Sequence, residues 1–117
     1  MWRLVIVDDH QGFRSWAQEL LAGEGFDVVG VAEDGATALT TISALQPDVV
    51  LLDIQLPDMT GFEVAERVAA RAAVVLTSSR PADDYGQRLR ASPAAGFVAK
   101  SDLSGALVAA AAFGSAS

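Results

Sequence analysis

The chain contains no cysteine, one histidine and only four prolines. Without thiols it can form neither a disulfide nor a thiolate metal site, which suits a reducing compartment. One imidazole makes no metal cluster, so His10 reads as a residue at a helix start rather than a ligand. Long apolar runs are also missing. The longest, Ala106 to Phe113, is far short of a membrane span. Bases are scarce, eight Lys and Arg against fifteen Asp and Glu, giving a formal net charge of −7. That balance disfavours nucleic acid as a direct partner and is compatible with a bound cation. Met1-Trp2-Arg3 leads straight into an apolar stretch with no signal-peptide pattern. The expectation is a soluble cytoplasmic protein that meets neither membrane nor nucleic acid directly.

What is present is 117 residues, enough for one domain over 1–117 and too few for two. The most informative stretch is Val49-Val50-Leu51-Leu52-Asp53-Ile54-Gln55-Leu56-Pro57. A continuous apolar run that stops at a turn signal reads as a strand buried on both faces. Asp53 stands where that strand leaves the core.

Arg3 to Val7 reads as a second buried strand, ending in Asp8-Asp9. Phe13, Trp16, Ala17, Leu20 and Leu21 then mark one face of an amphipathic helix, closed by Gly23 and Gly25. Trp2 and Trp16 read as packing residues. Asp27 to Ala32 gives another strand, and Glu33-Asp34-Gly35 a turn able to cap a helix whose inner stripe is Ala38, Leu39, Ile42 and Leu45. Pro47 ends it. After the Asp53 strand comes a loop to Thr60, then a helix from Gly61 with Phe62, Ala65, Val68 and Ala69 inward. Ala73 to Thr77 is a strand running into Ser78 and Ser79.

Pro81 to Ser92 reads as one polar helix with Asp83-Asp84 in its first turn and Arg88 and Arg90 near its end. Gly96 to Ala99 is a short last strand ending at Lys100. Ser101 or Asp102 is expected to cap a final helix to Phe113, stopped by Gly114. Its expected inner stripe is Leu103, Leu107, Ala110 and Ala111. Val108 and Ala112 would then point away, with Phe113 at the margin, on a helix without charge that a homodimer partner, an effector or a missing C-terminal domain could cover, unless its small side chains simply sit in water.

Five βα units with short connections predict a doubly wound α/β fold, a parallel sheet with helices on both faces. Right-handed crossovers put Asp8-Asp9, Asp53, Thr77 and Lys100 on one edge of the sheet, where such folds bind ligands. Three converging carboxylates repel one another, and a hard cation relieves them. Oxygen donors with positions left for water and a phosphate oxygen suit Mg2+. Asp53 is placed as a nucleophile for a phosphoryl group. Lys100 adds a compact positive charge and Thr77 a hydroxyl donor, a set suited to acyl-phosphate chemistry.

Asp8-Asp9, Asp53, Pro57, Gly61, Thr77, Phe97 and Lys100 together resemble the receiver domain of bacterial response regulators, over essentially the whole chain. Val7 to Arg14 and Ala32-Glu33-Asp34-Gly35 are similar to receivers of the LuxR/NarL type. The resemblance implies a flavodoxin-like (βα)5 fold with strand order 2-1-3-4-5. It implies Asp53 as the phosphoacceptor, Asp9 and Asp53 as direct Mg2+ ligands, Asp8 as an acid reaching the metal through water, and the Gln55 carbonyl as the remaining protein ligand. Thr77 and Phe97 match the switch pair, and Lys100 the phosphate-contacting lysine.

The implied partners are a sensor histidine kinase, an output partner or domain, and a possible second copy of the chain. The implied role is a phosphoacceptor that modifies itself rather than an enzyme. Receiver-shaped scaffolding without phosphorylation is the alternative. A phosphatase using Asp53 is set low because Gln55, not an aspartate, stands two positions on. Two departures from the family pattern stand out. Lys100 is followed by Ser101 where proline is common. Thr77 follows Asp53 by only 24 positions, so the third helix or its exit loop must be short. No helix-turn-helix region is present, which fits a stand-alone receiver or a piece of a longer protein.

Overall fold

The computed structural model describes residues 1–114. Five strands, β1 (Trp2–Val7), β2 (Phe26–Ala32), β3 (Val49–Asp53), β4 (Ala73–Ser78) and β5 (Gly96–Ala99), form one parallel sheet in the order β2-β1-β3-β4-β5. The expected order is therefore the observed one. Five helices alternate with them: α1 (Gln11–Gly23), α2 (Gly35–Leu45), α3 (Gly61–Val68), α4 (Gln87–Ala91) and α5 (Gly105–Phe113).

The alternation of side chains along each strand sorts the core into two layers. Leu4, Ile6, Leu51 and Val75 pack with Ala17 and Leu21 of α1 and Val108 of α5. Val5, Val7, Val50, Leu52 and Leu76 pack with Ala38 and Ile42 of α2 and Val64, Ala65 and Val68 of α3. Both faces of the three central strands are thus covered, which is why their sequences read as unbroken apolar runs.

Helix starts are capped as the sequence suggests. Asp34 accepts from the Thr37 N–H at 2.7 Å, and Thr60 from the Glu63 N–H at 3.2 Å. At eight residues, α3 is short, as the Asp53–Thr77 spacing requires. α2 ends on Gln46 in the left-handed region (φ 47°), just before Pro47.

The expected continuous helix from Pro81 to Ser92 is not there. A 3-10 turn, Ala82–Asp84, is separated from α4 by Gly86, which has φ +48°. A positive φ breaks the helical path, and glycine adopts it without steric penalty. The last helix also differs from expectation. Lys100–Asp102 forms a 3-10 turn, and the cap is Ser104, whose hydroxyl accepts from the Leu107 N–H.

The phase of α5 departs in part from the one expected. Leu103 and Ala111 face the core as expected, but Val108 is fully buried, Ala112 packs on the core layer and Leu107 is 46% exposed. A helix apolar all round carries no periodic signal to set its phase. Glycine sets it instead. Gly105 lies so close to Glu24 that a methyl group there would meet the Glu24 backbone oxygen at 3.0 Å, and its N–H donates to Glu24 Oε1. One turn on, Val108 then points inward. Trp2 and Trp16, though half-exposed, pack on aromatic neighbours as expected: Trp2 stacks on Phe113 at 4.3 Å, and Trp16 tilts against Phe13.

Candidate functional site

The candidate site lies at the C-terminal edge of the sheet. Asp8 is the first residue past β1, Asp53 the last of β3, Thr77 sits beside Asp53 in the register of β4, and Lys100 is the first residue past β5. Main-chain hydrogen bonds fix these ends. The Asp8 N–H donates to the Ala32 carbonyl and the Ile54 N–H to the Thr77 carbonyl, each at 3.0 Å.

Asp8 and Asp53 are buried, and both face Lys100. The ammonium Nζ is 2.5 Å from Asp8 Oδ2 and 3.2 Å from Asp53 Oδ2. Asp53 Oδ1 accepts the Gln55 N–H at 3.0 Å. Burial raises the Asp53 carboxyl to about 6; the Gln55 N–H opposes that rise, neighbouring Asp8 adds to it, and Lys100 again opposes it. Burial alone would lower Lys100, but its pairs with Asp8 and Asp53 outweigh that, so its pKa is raised. Lys100 is therefore held cationic, and Asp53 loses its proton at higher pH than an ordinary carboxyl.

Asp9, more exposed than Asp8, lies on the rim. Asp8, Asp9, His10 and Asp53 each bring a ligand atom within 4.8 Å of the others. The buried Asp8 Oδ2 is held in an ion pair by the Lys100 ammonium. Converging carboxylates, three against one ammonium, are the donor set that a hard divalent cation takes. Gln55 contributes its N–H to Asp53, and its side chain is exposed.

The Thr77 hydroxyl, fully buried, donates to the Val98 carbonyl of β5 at 2.6 Å. Phe97 is half-buried and lines a groove of about 590 Å³ with Pro81, Leu107 and Ala111. Three contacts near the site went unread in the sequence. Lys100 Nζ stands 4.4 Å over the Phe13 ring. Arg14 Nη1 donates to the Asp8 carbonyl at 2.6 Å. Asp58 accepts from the Gly35 and Ala36 N–H groups, tying the β3–α3 loop to the start of α2, and those bonds hold its carboxyl below the usual range. The available signal was position: Phe13 and Arg14 lie in the first turn of α1, one turn from Asp8-Asp9.

The sequence profile of the response regulator receiver domain matches residues 4–112. The chain belongs to that family. The receiver is 33% identical over 110 residues to the transcriptional regulatory protein DegU of Brevibacillus brevis, covering 91% of this chain and 47% of DegU. Among solved structures it is similar to the signal receiver domain of NarL from Mycobacterium tuberculosis. The TM-score is 0.80 at 36% identity, over 94% of this chain and 95% of that one.

Response regulator TrrA of Thermotoga maritima, solved in complex with Mg2+–BeF, matches with a TM-score of 0.74 at 28% identity. That match covers 85% of this chain and 86% of TrrA. Relatives of the receiver include transcriptional regulators and protein-glutamate methylesterases. The chain spans about half of DegU and about a quarter of a Halobacterium salinarum methylesterase. It is a receiver domain of two-component signalling, similar to the LuxR/NarL type. Among the described residues, no helix is long and apolar enough to cross a membrane.

Proposed function

We propose that this receiver takes a phosphoryl group onto Asp53 from the phosphohistidine of a sensor histidine kinase, and so controls an output partner. The observation that carries this reading is the setting of Asp53. Its carboxylate ends a central strand with Oδ2 3.2 Å from Lys100 Nζ and Oδ1 pinned by the Gln55 N–H. A carboxylate oxygen attacks phosphorus, the phosphorus–nitrogen bond breaks, and the departing imidazole takes a proton from solvent. An acyl phosphate remains on Asp53.

Lys100 holds the carboxylate before transfer and a phosphoryl oxygen after it. Mg2+, held by Asp8, Asp9, Asp53 and the main-chain carbonyl of Gln55, would neutralise the clustered carboxylates and polarise the phosphoryl oxygens. The TrrA complex with Mg2+–BeF supports that assignment. Thr77 senses the product by giving up its bond to Val98 and turning toward the phosphoryl group. Phe97 follows inward, and the surface of α4, β5 and α5 changes.

The chain acts on this reading as a stoichiometric phosphoacceptor, not an enzyme. It works in the cytoplasm as a receiver over 1–117, with a homodimer as one form of its output. Gln55 and Ser79, both exposed beside the site, influence hydrolysis of the acyl phosphate, and neither is a base strong enough to activate water at neutral pH. The test is intact-mass measurement after incubation with acetyl phosphate. One added phosphoryl group with Mg2+ and none with excess chelator supports the reading. Modification that ignores the chelator sinks it.

A further inference from the structure

His10 is the one member of the cluster Asp8, Asp9, His10 and Asp53 that the phosphoacceptor reading leaves without a task. Its Nδ1 is 3.1 Å from Asp8 Oδ1 and 3.1 Å from Asp9 Oδ1. The backbone aims the ring there. His10 precedes the first turn of α1 in an extended conformation, its own N–H donates to Asp8 Oδ1 at 2.8 Å, and its side chain makes no capping bond to the helix. The ring is therefore free of helix duty and turned back onto the carboxylates.

Two arrangements hold a nitrogen at that spacing from two carboxylate oxygens. One is a proton on Nδ1 shared between them. The other is a cation, because neighbouring ligands of an octahedral ion with bonds of about 2.1–2.2 Å stand about 3 Å apart. The same three atoms serve either, with a metal ion taking the place of the shared proton.

Resting on the phosphoacceptor reading, we propose that His10 is a metal-selecting ligand of this site. Its Nδ1 joins the coordination of a borderline divalent ion such as Co2+, Ni2+ or Cu2+ and stays out of that of Mg2+. Mg2+ takes oxygen donors and gives up its waters reluctantly. Neutral imidazole favours the later transition ions. A site of carboxylates alone discriminates little beyond charge and size, and one imidazole tilts it toward the softer ions. Three carboxylates, Asp8, Asp9 and Asp53, share one lysine, so the cluster keeps an excess of negative charge that a divalent ion would offset. The consequence is a receiver that transition ions can load when Mg2+ is scarce.

His10 is the only histidine in the chain, so in tag-free protein any imidazole nitrogen coupled to a bound metal comes from it. Pulsed EPR of the Cu2+-loaded chain is expected to show coordinated imidazole nitrogen in the wild type and none in His10→Ala. Calorimetric titration is expected to show Ni2+ affinity about tenfold or more weaker in His10→Ala, with Mg2+ affinity within about twofold. Cu2+ that binds at the carboxylates but shows no nitrogen coupling overturns the proposal and leaves the cation site standing. So do Ni2+ and Mg2+ affinities that fall together. Failure of both Mg2+ and Ni2+ to bind the wild type overturns the cation site itself, and this proposal with it.

Discussion

Gly61 lies against the backbone of Asp53 so closely that a methyl group on it would stand 2.4 Å from the Asp53 carbonyl oxygen. The Gly61 N–H also donates to the Ile54 carbonyl at 2.7 Å. The first residue of α3 is therefore packed onto the strand end that carries the proposed phosphoacceptor. Gly61→Ala must push β3 and α3 apart and is expected to cost about 1–3 kcal/mol. Gly12→Ala, in α1 with nothing near its added methyl group, is expected to be neutral or to stabilise by up to about 1 kcal/mol. Urea unfolding of the two variants checks the contrast.

Burial of Asp53 predicts an unusual pH dependence in metal-free protein. Its folded pKa of about 6 lies above the ordinary 3.8, so the native state binds this proton more tightly than the unfolded chain does. The stabilisation is fully present below pH 3.8 and is lost as pH rises through about 6. At pH 7, Asp53→Asn should exceed wild type by about 1–3 kcal/mol. Near pH 4 the difference should shrink toward zero. Urea unfolding in chelator at both pH values reads it, and a gap that grows toward low pH contradicts the burial argument.

Phe13 is expected to position Lys100. An ammonium 4.4 Å over the ring gains about 0.5–2 kcal/mol from the contact. Phe13→Leu keeps the packing but loses the ring face, and should slow phosphorylation from acetyl phosphate by about two- to thirtyfold. Phe13→Tyr should restore the rate. Equal rates for Leu and Tyr at this position would show that the ring only fills space.

Thr77 separates stability and signalling from chemistry. Its hydroxyl donates to Val98 inside the protein, so Thr77→Val leaves a buried carbonyl without that donor and should cost about 1–3 kcal/mol. The variant is still expected to accept phosphate, because Lys100 and the carboxylates are untouched. Partner binding that responds to phosphate as in wild type would remove Thr77 from the switch.

The strands and the shared edge of Asp8, Asp53 and Lys100 were legible because buried strands announce themselves as apolar runs ending in polar residues, whereas the sheet order came only with the resemblance to receivers. Handedness then fixes which edge those residues share. The break at Gly86 was not legible, because a glycine inside a polar helical stretch is tolerated as often as it bends the chain. The phase of α5 was hidden by a helix of alanine, leucine and valine on every side. The contact of Gly105 with Glu24 that sets it spans most of the chain. Ala112 consequently faces inward, and a charge placed there would test the fold, not an outer surface. Leu107 is the outward residue for that purpose.

The most direct test of the account asks where the phosphoryl group goes. Borohydride reduces an acyl phosphate to an alcohol, so protein treated with acetyl phosphate and Mg2+, then reduced and digested, should carry homoserine at position 53 and nowhere else. The mark should vanish with chelator and in Asp53→Ala. Reduction at another carboxylate, or a mark on position 53 that forms equally well without the metal, would contradict the account.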